Sequence, residues 1–149
     1  MNRQDLLETA RALPAFSAAA AQEYADQREL LVASLNQIML QRVDLDQLVG
    51  AGNHAMMQDN HHNHARFVES LLRHYDAEVL VDTVLWVFRA YRAHGFHLSY
   101  WPAQLNAWVT VLERQLSPPA FAAIYPLYHW FIVHIPAFVA LTDASVDGA

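Results

Sequence analysis

The sequence predicts an all-α protein, and three observations support that prediction. Apolar residues recur at spacings of three and four along most of the 149-residue chain, as they do on one face of an amphipathic helix. Only four glycines occur. No Asn-Gly or Asp-Gly pair stands between two runs of alternating apolar residues, where a β-hairpin would turn. We therefore expect a single bundle of about six helices with no sheet, built around one core.

The first three predicted helices occupy the N-terminal half. One runs from about Gln4 to Leu13 and ends at Pro14, because proline cannot continue a helix. The second covers about Ala18 to Arg42. The stretch DLDQLVGAGN, residues 44–53, contains two glycines and is predicted to interrupt the helical pattern. A third helix then follows near Asn53 to His74.

Capping residues delimit the next two predicted helices. Asp76 is a candidate N-cap for the fourth helix, which runs through VLVDTVLWVFRAYRAH to a candidate C′ residue, Gly95. Ser99 caps the fifth helix, which carries Pro102 in its first turn and continues to Leu116.

The last predicted helix begins at Ser117-Pro118-Pro119 and reaches about Leu141. We expect kinks at Pro126 and Pro136. The helical domain should therefore span residues 1–142, and residues 143–149 are small and polar, as in a flexible tail or linker.

Composition excludes several classes of function. The formal charge of −6 and the absence of a basic run argue against nucleic-acid binding, since phosphates require clustered cations. The chain has no cysteine, so disulfides, iron–sulfur clusters and thiolate nucleophiles are excluded. The N-terminus has no apolar signal region, and we expect a cytoplasmic protein. The uncharged segment from Ala120 to Leu141 contains prolines and histidines, so we expect a buried helix there and no membrane partner.

The densest cluster of candidate ligands is NHHNHARF, residues 60–67. At helical spacing His61 and His64 share the apolar face with His54, whereas His62 points toward solvent. His61 and His64 are three residues apart, so both could ligate one ion, with His54 two turns away.

Two interpretations of this cluster remain open. Metal binding by His54, His61 and His64 would need a further ligand from another helix, and no known metal motif is present. The favoured interpretation is that these imidazoles are partly buried and either hydrogen-bonded to neighbours or lining a pocket, and we expect His64 to face packed side chains. Inward histidines could also make the protein respond to pH below about 6.5.

Catalytic machinery is not recognisable in the sequence. We find no nucleophile–base pair, no glycine-rich phosphate loop and no spaced pair of catalytic carboxylates. We therefore expect no enzyme activity and assign no catalytic residue.

Two segments carry a family resemblance. Residues 82–116, DTVLWVFRAYRAHGFHLSYWPAQLNAWVTVLERQL, are similar to the F helix, FG corner and G helix of bacterial globins. Residues 117–135, SPPAFAAIYPLYHWFIVHI, resemble the GH corner and H helix. In haem-binding globins the proximal histidine lies about one turn before the Gly-hydrophobic pair. That position here is Tyr91 or Arg92, so the usual ligand is missing.

A globin-like domain without that histidine resembles the non-haem globin sensor domains of RsbR-type stressosome regulators. It also resembles the helical segments that precede some cobalamin-binding regulatory domains. The resemblance implies a globin-like sensor or interaction module that has no cofactor, forms a homodimer and signals to a downstream protein. The alternative is a haem-binding gas or redox sensor, with His94, Tyr91 or His97 as proximal ligand and His64 or His61 as distal residue.

Overall fold

The computed structural model describes residues 1–143, and within that range the chain forms eight helices and no strand. The helices are α1 (Arg3–Arg11), α2 (Ala18–Leu40), α3 (Leu45–Val49), α4 (His54–Arg73), α5 (Ala77–Ala93), α6 (Tyr100–Gln115), α7 (Pro118–Val133) and α8 (Ile135–Leu141). The all-α prediction is confirmed. Most of the predicted tail, residues 144–149, lies outside the described residues.

The helix count differs from the prediction at two places. Residues 44–53 were expected only to interrupt the helical pattern, but they contain the short helix α3. Its buried residues Leu45, Leu48 and Val49 contribute to the core, so tertiary packing stabilises a helix that is too short to form alone. Gly50, with φ of 87°, ends it.

The second difference is that the predicted last helix is divided into α7 and α8, which are bent by 47° relative to each other. Pro136 lies in the first turn of α8, where its missing N–H costs nothing, and its ring prevents α7 from continuing. Pro126, by contrast, lies inside α7, which continues through it. The kink expected at Pro136 is therefore a break between α7 and α8.

The bundle is organised around α2. This helix packs against α4, α6 and α7, and α6 also packs against α7. Its buried side chains include Tyr24, Leu31, Leu35 and Met39, each with no exposed surface. Helix α5 makes its main contacts elsewhere, with α1 and α8. Because α4 and α5 are held by different partners, their facing sides are left to line a cavity.

The turn between α5 and α6 fixes the position of the C-terminal end of α5. Gly95 has a φ of 93°, and its N–H donates to the carbonyl of Arg92 while the N–H of Phe96 donates to that of Tyr91. These two bonds form a Schellman motif, in which glycine is preferred because other residues are strained at positive φ. The prediction that Gly95 is the C′ residue is confirmed.

No single helix within residues 1–143 has the length and apolar character needed to cross a membrane. The bent pair α7 and α8 meets those two criteria only when it is taken together.

Replacing Gly95 with alanine should destabilise the fold. An added Cβ would meet no neighbouring atom within 4 Å, so the cost comes from the positive φ alone. We expect the free energy of unfolding to fall by about 1–2 kcal/mol. Urea denaturation followed by circular dichroism measures this change.

The control is Ser99→Ala in the same turn, because the Ser99 side chain makes no capping bond to α6. Its effect should stay within about 0.5 kcal/mol. Equal stability of Gly95→Ala and the parent protein would contradict the assignment.

Candidate functional site

A cavity of about 240 Å³ opens where α4 and α5 face each other, with α6, α7 and α8 closing its far side. Its wall is mostly apolar and aromatic. The lining residues are Asn60, Asn63, His64, Phe67, Thr83, Val84, Trp86, Val87, Phe88, Tyr91, Trp101, Gln104, Leu105, Phe131 and Phe138. We call this cavity the α4–α5 crevice.

One part of the crevice wall is built from aromatic rings. Phe88 stacks on Trp101 with ring centroids 4.3 Å apart, and Phe138 meets Phe88 edge-on at 5.2 Å. Tyr91 contacts Trp101 edge-on at 5.9 Å. Such stacked and edge-on pairs are favoured arrangements of aromatic rings, and they make this part of the wall rigid.

A buried chain of hydrogen bonds lies behind one side of the crevice. His61 Nδ1 is 2.5 Å from Asn36 Oδ1, and His61 Nε2 is 3.1 Å from the Tyr100 hydroxyl. The Tyr100 hydroxyl donates to Asn60 Oδ1 at 2.8 Å, and Gln104 Nε2 donates to the same oxygen at 3.1 Å. The chain joins α2, α4 and α6, and its last two members, Asn60 and Gln104, line the crevice.

A second hydrogen-bonded chain holds His64. Its Nε2 is 2.9 Å from the Tyr128 hydroxyl, which lies 3.1 Å from the Tyr24 hydroxyl. The His64 ring also stacks on Trp108, with centroids 4.9 Å apart. His64 is thus fixed by α2, α6 and α7 while it lines the crevice.

Burial determines the ionisation of these groups. Burial, with smaller contributions from the neighbouring His64 and His62, lowers the pKa of His61 to about 3. Burial alone lowers the pKa of His64 to about 3. Burial also raises the pKa values of Tyr100 and Tyr128 well above 10. Both imidazoles and both phenols are therefore neutral near pH 7, and the chains consist of uncharged hydrogen bonds.

The expectation that His64 faces only packed side chains was wrong. Its ring does contact Trp108, Tyr128 and Phe131, as expected for a packed histidine. It is nevertheless half-buried and lines the crevice. The helical pattern located the inward face of α4 correctly but could not show that α5 stands away from that face.

Two other predictions about α4 also need correction. His54 was expected on the inward face, but it lies in the first turn of α4, is exposed and bonds Asp46 Oδ1 at 2.7 Å. At this end α4 faces the α3 segment, so the inward stripe begins only at Met57. His62 was expected in solvent, but it is half-buried.

The proposed haem and metal ligands are not all brought together. Tyr91 and His64 line the crevice from α5 and α4, whereas His61 lies one layer behind it. His94 is exposed, and its Nδ1 bonds the carbonyl of Ala90 in its own helix. Across residues 1–143 there is no group of three or more His, Asp or Glu side chains that could hold a metal ion. His54, His61 and His64 therefore do not form a shared ligand set.

The crevice is small for haem. Pockets for drug-sized ligands measure about 300–1,000 Å³, and a porphyrin is at the large end of such ligands. At about 240 Å³, the crevice would need α4 and α5 to move apart before haem could enter. Tyr128 also engages His64 Nε2, one of the two imidazole nitrogens that can bind a metal.

Sequence reasoning did not select two residues of the site, Asn60 and Gln104. Both are buried polar side chains that line the crevice. Asn60 lies three residues after Met57 and four before His64, so its spacing indicated the inward face. Gln104 lies four residues before the buried Trp108 and gave the same signal. A polar residue on an apolar stripe was the available clue in both cases.

The fold and the site together define an all-α protein with an aromatic, uncharged crevice. Comparison with known proteins returned no match, whether against family models, curated proteins or solved structures.

The stability of the protein should decrease as the pH falls below 6.5. Unfolded imidazoles take up protons near pH 6.5, whereas the folded His61 and His64 do so only near pH 3. The unfolded state therefore binds more protons between these values, and each histidine should lower the free energy of unfolding by about 2 kcal/mol at pH 5. Urea denaturation at pH 7.5 and pH 5 measures this loss.

Replacing His64 with glutamine should make the loss between pH 7.5 and pH 5 smaller by about 2 kcal/mol. The exposed His74 offers the matched control, because His74→Gln should leave the loss unchanged. If His64→Gln shows the same pH dependence as the parent protein, His64 is not buried in its neutral form.

Proposed function

We propose that this protein is a non-catalytic sensory or regulatory module, in which a small molecule bound in the α4–α5 crevice changes the packing of α5 against the rest of the bundle. The observation that carries this proposal is the crevice itself, a cavity of about 240 Å³ with a mostly aromatic wall. An engineered apolar cavity of about 150 Å³ is already large enough to bind benzene. The crevice is larger and so suits a small organic ligand.

The way in which α4 and α5 are held supports a signalling role. Helix α4 packs on α2, whereas α5 packs on α1 and α8. A ligand in contact with Phe67 on α4 and Val87 on α5 would interact with both groups of helices. Its binding would favour one separation of α4 and α5 over others, which is the differential affinity that a ligand-driven switch requires.

The architecture is also compatible with the resemblance to non-haem globin sensor domains. The globin fold arranges eight helices around a central pocket. The described part of this chain has eight helices. His64 of α4 and Tyr91 of α5 both line the crevice. We retain a globin-like bundle as part of the proposal.

We further propose that the module acts as a homodimer that passes its signal to a downstream protein. Trp86 is 66% exposed on α5, and Val79, seven residues earlier on the same face, is 48% exposed. An exposed tryptophan beside a second exposed apolar residue is typical of a contact surface. Trp86 also lines the crevice, so a dimer contact there would respond to ligand binding.

A haem-binding gas or redox sensor is the second candidate function. One observation favours it, namely that His64 and Tyr91 line the same crevice from two helices. Haem would then supply the gas-binding or redox chemistry, with one of these side chains near the iron.

Toluene should bind in the crevice and stabilise the protein. At a concentration about ten times its dissociation constant, it should raise the thermal midpoint by about 3–6 °C. Val87→Phe places a larger side chain in the crevice wall and should abolish this stabilisation. The control is Val43→Phe, because Val43 is fully exposed and does not line the crevice.

Equal stabilisation of both variants by toluene would contradict binding in the crevice. The haem alternative is tested on the parent protein expressed with a supply of haem. A stoichiometric Soret band that disappears in His64→Gln would contradict the proposed small-molecule module and support the haem-binding sensor.

Replacing Trp86 with serine should weaken self-association by at least about tenfold, since interface tryptophans often contribute 2 kcal/mol or more. Sedimentation equilibrium measures the dimer constant. Val43→Ser is the control, because Val43 is fully exposed but lies outside α5. A monomeric parent protein at high micromolar concentration would rule out the homodimer.

A further inference from the structure

The wall of the α4–α5 crevice favours flat ligands. Its lining includes the stacked pair Phe88 and Trp101, with Tyr91 and Phe138 edge-on to members of that pair. Trp86 lies at the exposed side. Aromatic rings that enter such a wall gain stacked or edge-on contacts, which are stronger than contacts of equal area with a flexible chain.

The crevice also has one inner polar region. Asn60 is 5% exposed and Gln104 is 1% exposed, and both line the cavity. Asn60 Oδ1 receives the Tyr100 hydroxyl and Gln104 Nε2, so its position is fixed. Within residues 1–143 no hydrogen bond to Gln104 Oε1 is present, which leaves a buried acceptor for a ligand donor.

A second buried group in this wall also lacks a partner. Trp101 is 4% exposed and lines the crevice, and its indole Nε1–H has no acceptor in the described part of the chain. Buried N–H groups are rarely left unpaired, and each unpaired group carries a desolvation cost of about 1–3 kcal/mol. This nitrogen has almost no accessible surface, so a ligand oxygen would reach it only after the wall of the crevice shifted.

The lining residues contain no Asp, Glu, Lys or Arg side chain, and His64 is held neutral by burial. A charged ligand would therefore enter without an opposite charge beside it. Burying an unpaired ion is far more costly than burying a neutral polar group, so the crevice should reject carboxylates and amines.

Resting on the proposed function, we infer that the ligand is an uncharged aromatic molecule of about two fused rings. It carries one hydroxyl group, which binds beside Asn60 and donates to Gln104 Oε1. The size follows from the volume, because a cavity of about 150 Å³ holds one benzene ring and this crevice measures about 240 Å³. The polar group then lies at the inner end of the crevice, and the rings lie among Phe88, Trp101 and Phe138.

Three probes of equal ring size test this inference by isothermal titration calorimetry at pH 7.5: naphthalene, 2-naphthol and 2-naphthoate. We expect 2-naphthol to bind about 2- to 10-fold more tightly than naphthalene, the gain of one neutral hydrogen bond. We expect 2-naphthoate to bind at least about tenfold more weakly than 2-naphthol, because its carboxylate would be unpaired. Affinity of 2-naphthoate equal to or above that of 2-naphthol would overturn the inference.

Gln104→Leu tests the polar end directly. It should remove the preference for 2-naphthol over naphthalene while naphthalene still binds. Gln115→Leu is the matched control, since Gln115 is exposed on the same helix and lies outside the crevice. If Gln104→Leu does not fold, the comparison of the three probes on the parent protein still decides the question. A preference for 2-naphthol that survives in folded Gln104→Leu would overturn the assignment of the polar end.

Toluene separates the two proposals. If toluene stabilises the protein but the naphthalene series shows no preference for the neutral alcohol, the sensory function stands and the ligand class is wrong. If neither toluene nor any naphthalene binds, both proposals fail.

Discussion

The packing around α2 is the constraint on which the rest of the structure depends. This helix contacts α4, α6 and α7, and α5 is held instead by α1 and α8. Helix α5 is not among the main packing partners of α2. The side of α4 that faces α5 is consequently not fully covered. The crevice is a direct result of this arrangement.

Two hydrogen-bonded chains fix the positions of polar side chains in the wall of the crevice. One joins Asn36, His61, Tyr100, Asn60 and Gln104, and the other joins Tyr24, Tyr128 and His64. Between them they connect α2, α4, α6 and α7. Buried polar groups linked in this way hold one arrangement of the core, since a shift would break several of these contacts together. On α5, Phe88 and Tyr91 pack against Trp101 of α6, so any movement of α5 would have to break these aromatic contacts.

Much of the fold follows from the sequence, because helix periodicity and helix ends are local properties. The apolar spacing located the long helices, and Gly95 marked the end of α5 through its positive φ. Helix α3 was missed because packing, not propensity, stabilises it. Asn60 and Gln104 were missed because their role depends on a gap between helices that are distant in sequence. The position of His64 on the inward face was predictable from the helical spacing. The open space beside its ring depends on how α4 and α5 pack, which the spacing does not show.

A cavity of this volume would carry an energetic cost if it were closed and empty. Unfilled core volume costs about 24 cal/mol per Å³, so about 240 Å³ corresponds to an upper bound of about 6 kcal/mol if the cavity were closed. Domains of this size are stable by only about 5–15 kcal/mol. Larger side chains at Val84, Val87 or Leu105 could reduce the space, and the chain instead places small or branched residues there. A bound ligand that restores the missing contacts would offset the cost, which is how a sensory cavity couples occupancy to stability.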